Sequence, residues 1–319
     1  ASAGEAGTGR CYRVVLLRLL YTPAMRRREW LIGSGALLGC GGAGSKSGTL
    51  PSREDSPRRD ASSASSQPPR LRVLTYNVLA DRVQIERRVP ALFDIFRAAD
   101  PDLLALQEVA PWFVESLEGE GWLERYAAAT IEGRLALPNG QMILSRAPIT
   151  RSRARRLTGK QGRTVLISEI ALSGTETFVL ATTHMESYLE DGPTRATQLD
   201  EIFAELAHEG APTMLAGDLN FGDGEQPDSA HLDPDFVDLW TQLHAGEAGF
   251  TWNIERSPMA AAGSFDSEPS RRLDRMLLRG ASWVPRSIEI IGDRSVRDDP
   301  GLFPSDHFGL LAELELART

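Results

Sequence analysis

The sequence predicts an α/β or α+β domain in which packed mixed β-sheets are flanked by helices. Three observations carry this expectation. Short apolar runs of strand character recur from about residue 70 to the C-terminal end. Few stretches of helical periodicity separate them. No repeat recurs at a fixed period. The density of strands argues against a simple doubly wound parallel sheet.

Arg70 to Leu79, RLRVLTYNVL, opens with alternating apolar residues and reads as a strand. Val83, Val89, Leu92, Ile95 and Phe96 fall at helical spacing, so the sequence predicts a helix over 83–99. PDLLALQEV follows as a buried strand ending in Glu108. Further strands are expected near 139–146, 149–157, 163–171 and 176–184, then an amphipathic helix over 194–208. PTMLAGDLN reads as another buried strand, ending in Asp218 and Asn220. RRLDRMLLR and RSIEII read as strands, and HFGLLAELEL closes the chain with a period of two.

The 319 residues are 41% hydrophobic and 25% charged, ordinary for a globular protein. The formal net charge of −9 hides an asymmetry. Residues 1–69 carry ten Lys/Arg and five Asp/Glu, whereas the remainder carries 25 basic and 39 acidic residues. So acidic a domain is a poor general polyanion binder, although a local patch or a metal ion could still hold a phosphate. The two cysteines, Cys11 and Cys40, lie outside the expected domain. That argues against a structural zinc site and a disulfide-stapled core.

The N-terminal region reads as an address. In MRRREWLIGSGALLGCGG, residues 25–42, three arginines precede a short apolar run that ends at Cys40. This is the layout of a signal peptide, and the run is too short to span a membrane. Arg27-Arg28 matches a twin-arginine export signal, and LLGC matches a lipobox in which Cys40 is lipidated. The competing reading is a buried first helix. Residues 1–24 are unassigned, 25–40 form the signal peptide, 41–70 a Gly/Ser/Pro-rich tether and 71–319 the folded domain. The expectation is therefore an exported, lipid-anchored protein of the cell envelope, and a monomer.

Polar residues recur at the carboxyl ends of the apolar runs: Asn77, Glu108, His184, Asp218 with Asn220, Asp274, and Asp306 with His307. Each alone is an ordinary turn former. Strand ends converge at one sheet edge, so together they can meet in one cleft. The inventory suits phosphoester hydrolysis. Carboxylates supply hard oxygen ligands for Mg²⁺ or Mn²⁺, Asn and His donate to phosphate oxygens, and an Asp orients a water or takes its proton.

In order, LTYNVLAD, DLLALQEV, MILSRAPI, THMES, LAGDLNF, RLDRMLLR and PSDHFGLL resemble the endonuclease/exonuclease/phosphatase superfamily, over about 71–316. THMES, FTWN, RRLDRMLLR and LFPSDHFGLL resemble its tyrosyl-DNA phosphodiesterase 2-like branch, and YNVLAD is similar to the nocturnin branch. The resemblance implies a DNase I-like fold, a four-layer α/β/β/α sandwich. It also implies roles. Glu108 and Asp306 would serve the metal, and Asp218 would activate water. Asn77 and Asn220 would hold the water or the phosphoryl group. His307, oriented by Asp274, would stabilise phosphate charge, and His184 and Ser187 would contact the phosphate.

Two departures bear on substrate. Leu79 stands where the branch carries an acidic residue, and Tyr188 and Leu189 stand where it carries an arginine. Seven basic residues between Arg146 and Arg163 read as a protected strand edge more than as a substrate guide. Trp112, Trp122, Trp240, Trp252 and Trp283 read as core or rim residues, with base stacking as the alternative. Nucleic acid is the leading expected substrate. A phospholipid or inositol phosphate is the second reading, and a non-catalytic surface-binding lipoprotein the third.

Overall fold

A computed structural model of the chain describes residues 69–134, 140–173 and 176–317. The signal peptide, the lipobox at Cys40 and most of the tether lie outside the described residues. One six-stranded sheet contains β1 (Arg70–Asn77), β2 (Leu103–Gln107), β3 (Ala127–Ala128) and β4 (Met142–Ser145). It is completed later in the chain by β11 (Trp283–Ile291) and β12 (Gly309–Leu316), in the order β11-β12-β1-β2-β4-β3. The second contains β5 (Ile149–Arg156), β6 (Thr164–Ser173), β7 (Glu176–His184), β8 (Thr213–Asp218), β9 (Val237–Asp238) and β10 (Asp274–Arg279). Its order is β5-β6-β7-β8-β10-β9.

Alternation along the strands builds the layers. Val73, Leu103 and Ala105 of the first sheet pack on Leu180, Met214 and Met276 of the second, forming the core between them. Intervening residues face outward. Leu74, Tyr76, Leu104 and Leu106 meet Leu92, Phe93 and Phe96 of α1 (Ile85–Ala99) and Phe113 of α2 (Pro111–Gly119). Across the molecule, Val165, Ile167, Val179 and Leu215 meet Leu199, Ile202 and Phe203 of the helix Gly192–Leu206. The result is the four-layer α/β/β/α sandwich. The two long helices fall within two residues of their expected bounds.

The basic run behaves as expected of an edge. β5 ends its sheet, and Arg151, Arg153 and Arg155 pair with Glu169, Glu209 and Glu205. One feature near the strand ends is tight. Gly217 of β8 faces Thr183 of β7, and a Cβ there would lie 2.3 Å from the Thr183 carbonyl oxygen. Gly217→Ala is therefore expected to cost about 1–3 kcal/mol, read as a lowered urea midpoint. An unchanged midpoint would mean that the strands separate without penalty.

Candidate active site

The expected polar residues do meet at one edge of the sandwich, but two of them reach it from the opposite direction. Asn77 ends β1 and Glu108 follows β2, while His184 and Asp218 end the parallel pair β7 and β8. Asp274 instead begins β10, antiparallel to β8, and stands directly across from Asp218. His307 precedes β12, antiparallel to β1. The expectation that all six positions are carboxyl ends is corrected for Asp274 and for Asp306 with His307. Strand direction alternates there, so strand starts share the edge with strand ends.

Each sheet contributes three groups, and hydrogen bonds cross between the sheets. Asn77 Nδ2 donates to Glu108 Oε1 and to Asp218 Oδ2, both at 3.1 Å. His184 Nε2 lies 3.4 Å and His307 Nε2 3.7 Å from the same Asp218 oxygen. His307 Nδ1 lies 2.8 Å from Asp274 Oδ2. Behind them Gln107 Nε2 donates to Thr182 Oγ1 at 2.8 Å and closes the polar end of the inter-sheet core.

Burial by itself would neutralise Asp218, but His307, His184 and the Asn77 amide outweigh it and hold its carboxyl below the usual carboxylate range. Burial would likewise lower His307, yet Asp274 and Asp218 raise it well above an ordinary imidazole. His184 differs. Burial pushes it down to about 4, so it is neutral. One cationic and one neutral imidazole therefore face the Asp218 carboxylate. Burial and the facing Asp218 push Asp274 up, against the pull of His307.

Glu108 is partly open, with 27% of its side chain exposed. Its Oε2 accepts from Ala80 N at 2.8 Å. Burial raises it, but His184, that backbone N–H and Asn77 together hold it low. An ionised, anchored and accessible carboxylate fits a hard divalent cation. Ligand atoms of Asp218, Asp274 and His307 also lie within 4.8 Å of one another. That cluster fits a metal less well, because Asp274 and Asp218 keep His307 protonated and an imidazolium has no lone pair to give. Asp306 is partly buried and accepts from Ser305 Oγ at 3.1 Å. Burial pushes its carboxyl up despite His307, and Glu108 adds to the rise. It lies outside the three-residue cluster.

His184 Nδ1 and Asp274 Oδ1 are buried and find no hydrogen-bond partner among the described residues. Asn220, at a left-handed φ of 57°, gives its Nδ2 to Met185 O at 2.9 Å, so the amide is turned into the backbone. Ser187 Oγ accepts from Arg163 Nη2 at 2.5 Å. Arg163 is the residue that sequence reasoning missed. It is buried, bonded to the neutral partners Gln161 and Ser187, and in the field of Asp218 and Glu108. It was concealed as the last member of a basic run. The only available signal was its place just before the strand that pairs with β7.

The loop after Asp218 is held from below. Asp223 takes Arg272 and Arg275, both of which also reach Asp238, and Arg275 Nη2 donates to Phe221 O at 3.2 Å. Trp252 covers His307 with ring centroids 5.0 Å apart. All five tryptophans in the described residues are buried, at 9% exposure or less, so none offers a free face to a base.

Comparison with known proteins places this geometry. A family model described as the Endonuclease/Exonuclease/phosphatase family matches residues 74–307. Tyrosyl-DNA phosphodiesterase 2 of Homo sapiens is 27% identical over 262 residues, covering 76% of this chain and 68% of that protein. The Xenopus laevis protein of the same name is 24% identical over 256 residues, with 76% and 66% covered. The chain thus spans about two thirds of the length of the curated relatives it matches. Among solved structures, D. rerio TDP2 complexed with a single-strand DNA product superposes with a TM-score of 0.67 at 24% identity, covering 77% of this chain and 99% of that one. The human Nocturnin catalytic domain with bound sulfate does so at 0.60 and 18% identity, covering 78% and 96%. These structures share the fold.

Proposed function

The chain belongs to the endonuclease/exonuclease/phosphatase family, and we propose that its folded domain hydrolyses a phosphodiester by attack of an activated water. The observation that carries this reading is the convergence on Asp218 Oδ2 of Asn77, His184 and His307, each from beside a different strand. An ionised buried carboxylate so placed orients a water and accepts its proton. His307, kept cationic by Asp274, faces the negative charge that develops on the phosphoryl oxygens. Arg163, which donates to Ser187 Oγ, completes a set of groups suited to phosphate oxygens.

Glu108 would hold a divalent cation, Mg²⁺ by the hardness of its donors, with Asp306 beside it. When bound, that ion neutralises charge on the phosphate. Nucleic acid is the proposed substrate. The relatives' name, tyrosyl-DNA phosphodiesterase 2, and the single-strand DNA product in one structural neighbour support it.

The test is Mg²⁺-dependent cleavage of DNA, RNA, 5′-phosphotyrosyl DNA and sphingomyelin by the full chain. Glu108→Gln is expected to raise the Mg²⁺ concentration for half-maximal rate by about tenfold or more. A titration identical to wild type moves the metal elsewhere. Cleavage of sphingomyelin alone would replace the nucleic acid reading.

The lipobox ending at Cys40 supports an exported, lipid-anchored location. Cys40→Ser is expected to shift the protein from the membrane to the soluble fraction, and equal fractionation of the two would remove the anchor.

A further inference from the structure

Arg88, near the start of α1, is fully buried, and no carboxylate pairs with it among the described residues. Its N–H groups go to backbone carbonyls instead. Nε donates to Val83 O at 2.8 Å. Nη1 donates to Val78 O at 3.3 Å and Pro304 O at 2.9 Å. Nη2 donates to Leu79 O at 3.4 Å and Asp81 O at 2.6 Å. That exhausts what a guanidinium can donate. A buried charge is costly, and this one joins α1 to a segment 216 residues away in sequence.

Both segments that Arg88 gathers carry the site. After β1, Leu79 N donates to Asn77 Oδ1 at 3.1 Å and Ala80 N to Glu108 Oε2 at 2.8 Å. The first bond turns the Asn77 amide so that Nδ2 meets Glu108 and Asp218. The second anchors Glu108. Beyond Pro304, Ser305 Oγ donates to Asn77 O at 2.7 Å, and Asp306 and His307 follow. Asp306 and Glu108 both lie in the field of the guanidinium. The backbone here is strained. Leu79 and Glu108 take left-handed φ values of 60° and 57°, which such residues keep only where their surroundings over-determine them. At Leu79 both the N–H and the carbonyl are fastened, the carbonyl by Arg88.

We infer, on the reading of Glu108 as the metal carboxylate, that Arg88 is a positioning residue of the cleft. Its guanidinium fastens residues 78–83 to the segment ahead of Asp306, and so holds Glu108 in the orientation that takes a divalent cation. The planar fork is what does this. A lysine ammonium keeps the charge but is a single point with three donors, and it cannot span the same carbonyls.

The test compares the full chain with Arg88→Lys. Amide hydrogen exchange in the metal-free chains reads the loop, and titration with Mn²⁺ alone reads the carboxylates. In Arg88→Lys the Leu79 and Ala80 amides are expected to exchange about tenfold faster, while those of β8 and β10 keep their rates. Mn²⁺ binding is expected to weaken by about 10–100-fold. A residue that merely supports the domain would speed exchange throughout and leave the affinity of the folded molecules unchanged. Wild-type exchange at Leu79 and Ala80, or wild-type Mn²⁺ affinity, in the lysine variant overturns the positioning role. So does a lysine variant that does not fold, since Arg88 then serves the domain and not the site. Glu108→Gln is titrated alongside. If it binds Mn²⁺ as the unmodified chain does, the metal lies elsewhere, and the exchange at Leu79 and Ala80 decides Arg88 alone: faster exchange supports its hold on the loop, and unchanged exchange overturns it.

Discussion

Asp218→Asn is expected to lower kcat by about 10²–10⁴-fold without unfolding the domain. The substitution keeps shape and keeps an oxygen to accept from Asn220 N, which lies 3.0 Å from Asp218 Oδ1. What is lost is the charge that the pocket is arranged around. Asn77 and the two histidines all point to one oxygen. An amide there can neither take a proton from water nor offset the His307 cation. Measuring kcat, KM and the midpoint together separates this from a folding defect. A variant with wild-type turnover would show that another group activates the water.

The largest expected loss of stability is at Arg195. Its Nε lies 2.7 Å from Asp228 Oδ1, and both side chains are 2% exposed. Arg195→Met leaves the Asp228 carboxylate buried without a partner, which costs about 3–5 kcal/mol. The same change frees the carbonyls of Glu186 and Tyr188. Urea denaturation gives the first effect. Arg195→Met with Asp228→Leu is expected to recover most of the loss, since the penalty lies in the stranded charge rather than in a missing attraction. A single variant within about 1 kcal/mol of wild type, as at a surface pair, would mean that water reaches the site.

Much of the site was legible because it interrupts apolar runs. Asn77, Glu108, His184 and Asp218 are polar residues at the close of strands that are mostly buried, a break that periodicity exposes. The family motifs then ordered them. Strand direction was not legible. Nothing local distinguishes Asp274 at the start of β10 from a residue at a strand's end, because antiparallel pairing is set by contacts distant in sequence. Arg163 escaped for a related reason. In sequence it joins Arg151, Arg153 and Arg155, yet those three pair with carboxylates at the sheet edge while Arg163 turns inward. The commitment of the Asn220 amide to the Met185 carbonyl was not legible either, because it depends on a left-handed backbone that its sequence only permits.

The division of the cleft between the sheets has a practical consequence. Asn77, Glu108 and His307 ride on one sheet, and His184, Asp218 and Asp274 on the other. Anything seated among them bridges the two halves of the sandwich and is released when they part. Occupancy therefore raises the melting temperature in proportion to RT ln(1 + [L]/Kd). Heat becomes a chemical probe that requires no assay of turnover. Libraries of divalent salts, nucleotides and phosphoesters can be ranked by the shift each produces, and a natural ligand can be sought before any reaction has been observed.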